Sequence, residues 1–179
     1  SSHGQNAIGV LLFQDVVAVL LLTLVPVFAG QGGQAWYWAL PLTLGKTVIL
    51  NPAPATRLNR SVLQLCDVVM PNQHEVALLG GATSLLEAGV SIVVITLGAR
   101  GIKIVTSEGE LQIPPFAVRA IDTTGAGDAA CGALATALAH GSDITTAARR
   151  ASAAGALAAT KKGAVPSLPT QHDIDALVN

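Results

Sequence analysis

The chain has 179 residues, a net charge of −1 and a pI near 6.4, which is length enough for one sizeable core and too little positive charge to mark a nucleic-acid or anionic-membrane partner. Mean hydropathy is +0.56, high for a soluble chain. Its two cysteines, Cys66 and Cys131, lie too far apart for metal or redox spacing and read as buried thiols of a reducing cytosol.

The excess of apolar residues is concentrated at the start. Residues 1–45 hold one charged side chain, Asp15, and five of the six aromatics, whereas all ten Lys and Arg lie from Lys46 onward. Two segments joined near Gly45, residues 1–45 and 46–179, are the simplest reading. The chain starts at Ser1 and its single methionine is Met70, so it reads as a piece of something longer or as a processed product.

Ala7 to Gly30 is a 24-residue run of almost wholly apolar sequence, broken by Gln14-Asp15 and Thr23, and long enough to cross a bilayer as a helix. Trp36-Tyr37-Trp38 would suit a membrane-interface belt, and the run lacks the basic start and small-residue cleavage site of a secretory signal. The competing reading is a buried helix of a soluble fold. An acid inside such a run is costly and usually functional. Gly9-Val-Leu-Leu-Phe13-Gln14-Asp15, with Ser-Ser upstream, resembles one transmembrane helix of the potassium-efflux-type monovalent cation:proton antiporters over residues 4–30. The resemblance implies an ion-binding role for Asp15, but one helix cannot perform alternating access.

From residue 46 the pattern changes to strands alternating with helices. Gly45-Lys46-Thr47 lacks the first glycine of a P-loop, because that position holds Leu40. Thr47–Leu50 reads as a strand ended by Asn51-Pro52-Ala53-Pro54, Ala55–Leu65 as a helix, and Val68–Met70 as a strand. A helix begins at Asn72, a strand runs through Ser91–Thr96, and Leu97–Gly101 turns the chain into a partner strand, Ile102–Ser107. Glu108-Gly109-Glu110 turns it again into Leu111–Pro115, Ala117–Ile121 alternates as a further strand, and helices over 125–140, 144–161 and 170–178 close the chain. The order implies an α/β layer with a mostly parallel sheet plus a hairpin, with ligands at the carboxyl ends of the strands.

One stretch carries most of the chemistry: Asp122-Thr123-Thr124-Gly125-Ala126-Gly127-Asp128. A Gly-x-Gly turn at a helix start directs free N–H groups and the positive end of the helix dipole at one point, which suits a phosphate. Asp128 in the first turn is placed to take a proton from a hydroxyl nucleophile. A helix-capping aspartate is the bland alternative. The dinucleotide fingerprint, Gly125-x-Gly127-x-x-Ala130, fails on context, since Asp143, the nearest candidate for its acidic residue, sits in a turn before a helix.

The seven residues resemble, at every fixed position, the second signature of the ribokinase (PfkB-type) carbohydrate kinases, and the likeness extends from Asn51-Pro-Ala-Pro-Ala55 to the end. It implies the nucleotide-binding half of a ribokinase-like layered sheet with flanking helices, incomplete, preceded by a long hydrophobic helix. It further implies ATP, Mg²⁺ and K⁺ as cofactors and a small sugar, ribose foremost, as acceptor. Asp128 would be the base, with Gly125, Ala126 and Gly127 steadying the transferred group. Asn72 and Glu75 match an Asn-x-x-Glu motif whose glutamate orders water around Mg²⁺, although the same four residues also spell a capping box. Thr96, Leu97, Gly98, Ala99, Arg100 and Gly101 correspond to a nucleotide-contacting turn, for which a plain hairpin turn is the alternative. Ser152 falls where the family places a residue beside adenine. Asp122, Thr124, Ala158, Lys161, Gly163 and Ser167 correspond to a K⁺ site built largely from carbonyl oxygens; a glycine-ended helix with two terminal lysines is the alternative there.

Two departures stand out: Ala130 replaces a phenylalanine usual in the family, and the stretch between Asn72 and Thr96 is shorter by about a helix. His3, His74, His140 and His172 form no ligand spacing. Three readings follow: a sugar kinase, a nucleotide-binding half without an acceptor pocket, and a membrane-anchored remnant of a fusion. Residues 46–179 are expected in the cytoplasm, with membrane association through 7–30 and self-association through a sheet edge.

Overall fold

The computed structural model describes residues 47–55 and 58–179. The antiporter-like helix over 4–30, its Asp15 and the aromatic cluster at 36–38 lie outside the described residues. Those residues fall in one compact unit, Thr47–Asn179.

Five strands form one sheet in sequence order: β1 (Ile49–Leu50), β2 (Val68–Val69), β3 (Ile92–Thr96), β4 (Ile102–Thr106) and β5 (Gly109–Ile113). β1, β2 and β3 are parallel, and β4 and β5 add as antiparallel neighbours. The sheet is therefore mixed, as the α/β-plus-hairpin pattern implied. Its helices are α1 (Arg60–Leu63), α2 (Gln73–Leu78), α3 (Ala82–Glu87), α4 (Ala126–Ala139), α5 (Ile144–Ala158), α6 (Ala164–Ser167) and α7 (Gln171–Val178), with a 3₁₀ turn at Gly98–Arg100.

Because strand side chains alternate, successive residues serve opposite faces. Val68 and Val94 join Ile102, Ile104 and Ile113 against α4 and α5, while Val69 and Val93 join Ile95 and Val105 against the α1–α3 side. The result is three layers, helix on sheet on helix, with Leu134 of α4 fully buried. Burying a leucine in this way stabilises by about 1.5–3 kcal/mol.

The alanine-rich α4 and α5 lack bulk, and that is what sets their spacing. Ala130, Ala137, Ala147, Ala148 and Ala151 are all buried between them and the sheet. A Cβ at Gly155 would stand 3.2 Å from the Ala126 carbonyl oxygen, so the amino end of α4 lies directly on α5. This approach fixes where the first turn of α4 sits.

Several boundaries differ from those read in the sequence. Of the helix expected over Ala55–Leu65, the described residues form the single turn α1, which Asn59 caps through the Ser61 N–H at 3.1 Å. The helix expected from Asn72 is two, α2 and α3, divided at Gly80 and Gly81, both at φ 91°. The expected strand Ala117–Ile121 is not a strand. Val118 and Ile121 are 37% and 59% exposed, and the segment joins no sheet among the described residues. At the far edge, β5 exposes Glu110 and Gln112, polar side chains that disfavour edge pairing.

Among the described residues, no helix is long and apolar enough to cross a membrane.

Candidate active site

β2 and β3 end side by side: the Thr96 N–H donates to the Pro71 carbonyl at 3.0 Å, and Asn72 bridges to Thr96. Residues following the two strands therefore meet at one edge, as parallel packing requires. On one side Asn72 opens α2. Its side chain accepts from the His74 and Glu75 N–H groups, each at 2.9 Å, and the Asn72 N–H donates to Glu75 Oε2 at 2.8 Å. The capping box is formed, and it occupies one carboxylate oxygen of Glu75.

On the other side the 3₁₀ turn carries Gly98, Ala99 and Arg100. Gly101 closes it at φ 84°, and a Cβ there would strike the backbone of Ile113 and Pro115. Glycine is thus required where the turn presses on the end of β5. The Arg100 guanidinium donates to Gln73 Oε1 at 2.6 Å, linking the turn to α2.

The signature turn reaches the same place from the other layer. Gly125 stands in the left-handed region (φ 77°, ψ −1°) as N-cap of α4, and no side chain caps the helix. The Ala126 N–H is bonded to the Thr123 carbonyl, whereas those of Gly127 and Asp128 have no backbone partner among the described residues. A 14-residue helix whose first turn ends in free N–H groups is an anion site in waiting.

Asp122 anchors this turn to the late loop. Its carboxylate accepts from the Thr124 N–H at 3.0 Å and from the Gly163 N–H at 2.9 Å. The Gly163 bond and then those to Thr124 hold its pKa down at about 2. Lys161 and Lys162 are exposed beside it, and Ser167 is fully buried with its hydroxyl donating to the Ala164 carbonyl at 2.8 Å.

These parts enclose a groove of about 680 Å³. Of the residues expected from the sequence, Asn72, Thr96, Gly98, Ala99, Gly101 and Ser152 line it, together with Ala126 and Gly127. Ser152 Oγ also donates to the Pro114 carbonyl at 3.4 Å, tying α5 to the groove's rim. Leu97, Arg100, Glu75 and Gly125 stand behind or beside the lining. Asp128 is exposed and borders an adjoining cleft of about 410 Å³, so Gly127 and Asp128, neighbours in sequence, serve two different concavities. Asp122, Thr124, Ala158, Lys161, Gly163 and Ser167 line neither; of these, Asp122 is bonded to Thr124 and Gly163.

Sequence reasoning missed Gln73 and His74, which line the groove at the start of α2, and the rim from Pro115 to Ala120. Gln73 and His74 stood inside a recognised motif, and only their non-consensus identity hid them. The rim was misread as a strand.

For Mg²⁺, the donor set fits a lightly held ion. Among the described residues no cluster of three or more His, Cys, Asp or Glu side chains forms. Mg²⁺ commonly keeps several waters and takes one or two carboxylates plus substrate phosphates, a role open to the second oxygen of Glu75.

Residues 16–171 match the family model for pfkB family carbohydrate kinases. The match begins inside the apolar stretch that composition had set apart. The chain is 38% identical over 141 residues to the ribokinase of Haemophilus influenzae, covering 72% of this chain and 46% of that one. Among solved structures, the ribokinase from Thermotoga maritima aligns at TM-score 0.70 and 34% identity over 75% of this chain and 49% of its own. A protein from E. coli described as a ribokinase II, in complex with ATP and Mg²⁺, aligns at TM-score 0.62 and 30% identity over 66% of this chain and 41% of its own. The chain spans about half the length of the ribokinases it matches. With the signature turn, the strand-edge groove and the layered sheet in agreement, the chain belongs to the pfkB family of carbohydrate kinases.

Proposed function

We propose that this chain carries the donor side of an ATP-dependent sugar kinase, which moves the γ-phosphoryl group of ATP to a sugar hydroxyl, with ribose as the acceptor. The observation that carries the reading is the uncapped amino end of α4. It opens, through Gly127, on the same groove as Thr96, the Gly98–Gly101 turn and Ser152.

In this reading the nucleotide lies along the groove with its phosphates at the Gly125–Gly127 turn. Asp128 accepts the proton of the acceptor hydroxyl, the hydroxyl oxygen bonds to the γ-phosphorus, and the bond to the β-phosphate oxygen breaks to release ADP. The N–H groups of Gly127 and Asp128 are fixed before the reaction and meet the charge that develops on the transferred group. Glu75 would hold Mg²⁺ through water, and the bound ion supplies charge neutralisation at the phosphates. Asp122, Thr124, Ala158, Lys161, Gly163 and Ser167 form the proposed K⁺ site. One carboxylate among carbonyl and hydroxyl oxygens is a donor set suited to a singly charged hard cation.

The test is phosphorylation of ribose and a panel of sugars by the full chain, with ATP, Mg²⁺ and K⁺, against Asp128→Asn. Turnover that the substitution removes supports the reading. Turnover that survives it removes Asp128 as the base. The second reading is a nucleotide-binding half without turnover. It is favoured by the chain's spanning about half the length of its relatives, and ATP binding without product would select it.

A further inference from the structure

The cleft of about 410 Å³ beside Asp128 is the hollow that the nucleotide leaves free. It runs along the face of α4 that carries Asp128, Gly132 and Thr136, and it is bounded by Arg150 of α5, by Leu168 and by Gln171 at the start of α7. Gly127 lines the nucleotide groove and Asp128 lines the cleft, and consecutive Cα atoms stand only about 3.8 Å apart. A phosphate held at the first and a hydroxyl held at the second therefore come within reach of each other across one turn of backbone.

Charge decides what such a cleft can take. Arg150 is the one cation in its lining, and its guanidinium is paired with Asp175 at 2.6 Å. Asp128 belongs to neither ion pair among the described residues, so the cleft disfavours an anion and suits a neutral ligand with hydroxyls to donate. Thr136 Oγ1 donates to the Gly132 carbonyl at 2.8 Å, which leaves its oxygen to accept, and the guanidinium keeps N–H donors beyond the one that meets Asp175. Ala133, Leu168 and Ile174 add apolar surface for the C–H face of a ring.

We propose that the cleft beside Asp128 is the acceptor site of this chain and takes a neutral, hydroxyl-bearing sugar. The reacting hydroxyl lies at the Asp128 carboxylate, which takes its proton as the oxygen bonds to the γ-phosphorus and ADP departs. This deepens the sugar-kinase reading, rests on it, and names the walls that hold the acceptor.

Gly132 supplies the test. A Cβ there meets nothing within 4 Å, so a larger side chain grows into the cleft, and any helix-forming residue suits the middle of α4 better than glycine. The full-length parent, Gly132→Ala and Gly132→Leu are compared in thermal melts, in titrations with ATP and with ribose, and in steady-state phosphorylation of ribose. Gly132→Leu is expected to weaken ribose on the order of tenfold or more, in Kd and in KM alike, with ATP affinity held within about twofold and no fall in melting temperature. Gly132→Ala should lie between the two. Ribose binding and turnover that Gly132→Leu leaves unchanged would overturn the placement and leave the kinase reading standing. Equal losses of ribose and ATP would overturn it as well. A parent protein that binds ATP but no ribose would overturn the placement and select the nucleotide-binding half, and one that binds neither would overturn both readings.

Discussion

Asp122 and Gly163, 41 residues apart in sequence, are joined by a 2.9 Å hydrogen bond from the Gly163 N–H to the Asp122 carboxylate. A second bond to the same carboxylate, from Thr124, fixes the turn that leads into α4. One side chain thus locks the phosphate-type turn to the loop that follows α5.

That lock gives the first prediction. The Asp122 carboxyl has its pKa lowered from 3.8 to about 2, first by the Gly163 N–H and then by Thr124. A depressed folded-state pKa adds stability that is fully present above the unfolded value and disappears as pH falls through the folded one. Asp122→Asn should therefore lower the melting temperature at neutral pH, and the gap to the parent should narrow as pH drops from about 4 toward about 2. Thermal melts of both proteins across that range check it, and a gap independent of pH would remove the charge from the account.

Gly125 and Gly127 should respond differently to the same change. A Cβ at Gly125 would come within 2.9 Å of Ala164 Cα, in a residue already at φ 77°. Gly125→Ala is expected to cost about 1–3 kcal/mol of stability as well as ATP affinity. At Gly127 a Cβ meets nothing within 4 Å, yet the residue lines the groove. Gly127→Ala should leave stability within about 1 kcal/mol of the parent while weakening ATP, because only the approach of the ligand is blocked. Paired melts and titrations separate the two.

Asp128 is exposed at the start of α4, and among the described residues no ion pair holds its carboxylate. Asp128→Asn should reduce kcat by about 10²–10⁴-fold, the usual worth of a general base, with the Kd for ATP nearly unchanged. Steady-state rates beside equilibrium binding decide it. A matched loss in both would make Asp128 a binding group.

Gly101 and Gly98 bracket the 3₁₀ turn, and both have positive φ, 84° and 58°. A Cβ at Gly101 would collide with the Ile113 and Pro115 backbone, whereas at Gly98 it would meet open space. Gly98→Ala should cost about 1–2 kcal/mol, the ordinary penalty of a left-handed alanine. Gly101→Ala should cost more than about 4 kcal/mol, since backbone must move as well. Chemical denaturation of the two variants measures the difference.

The sequence alone determined the features that depend on residue type and near neighbours. Short apolar runs at Ile92–Thr96 and Ile102–Thr106 marked the central strands, and alanine-rich helical runs marked α4 and α5, because local apolar patterning and burial agree there. The Asp122–Asp128 stretch named its turn because a Gly-x-Gly followed by an acid restricts the backbone in one way. Asn72 and Glu75 were also legible, both as a motif and as the cap they form. Tertiary structure alone decided what distant segments do to each other. Val118 and Ile121 alternate like a strand but have no ladder to join, so they stay exposed. The Asp122–Gly163 lock and the Gln73–Arg100 contact join residues 41 and 27 positions apart, and no local pattern encodes a bond between loops. Whether Gly127 and Asp128 face one hollow or two was likewise set by the pressing of α4 onto α5 at Gly155, a packing distance that sequence does not state.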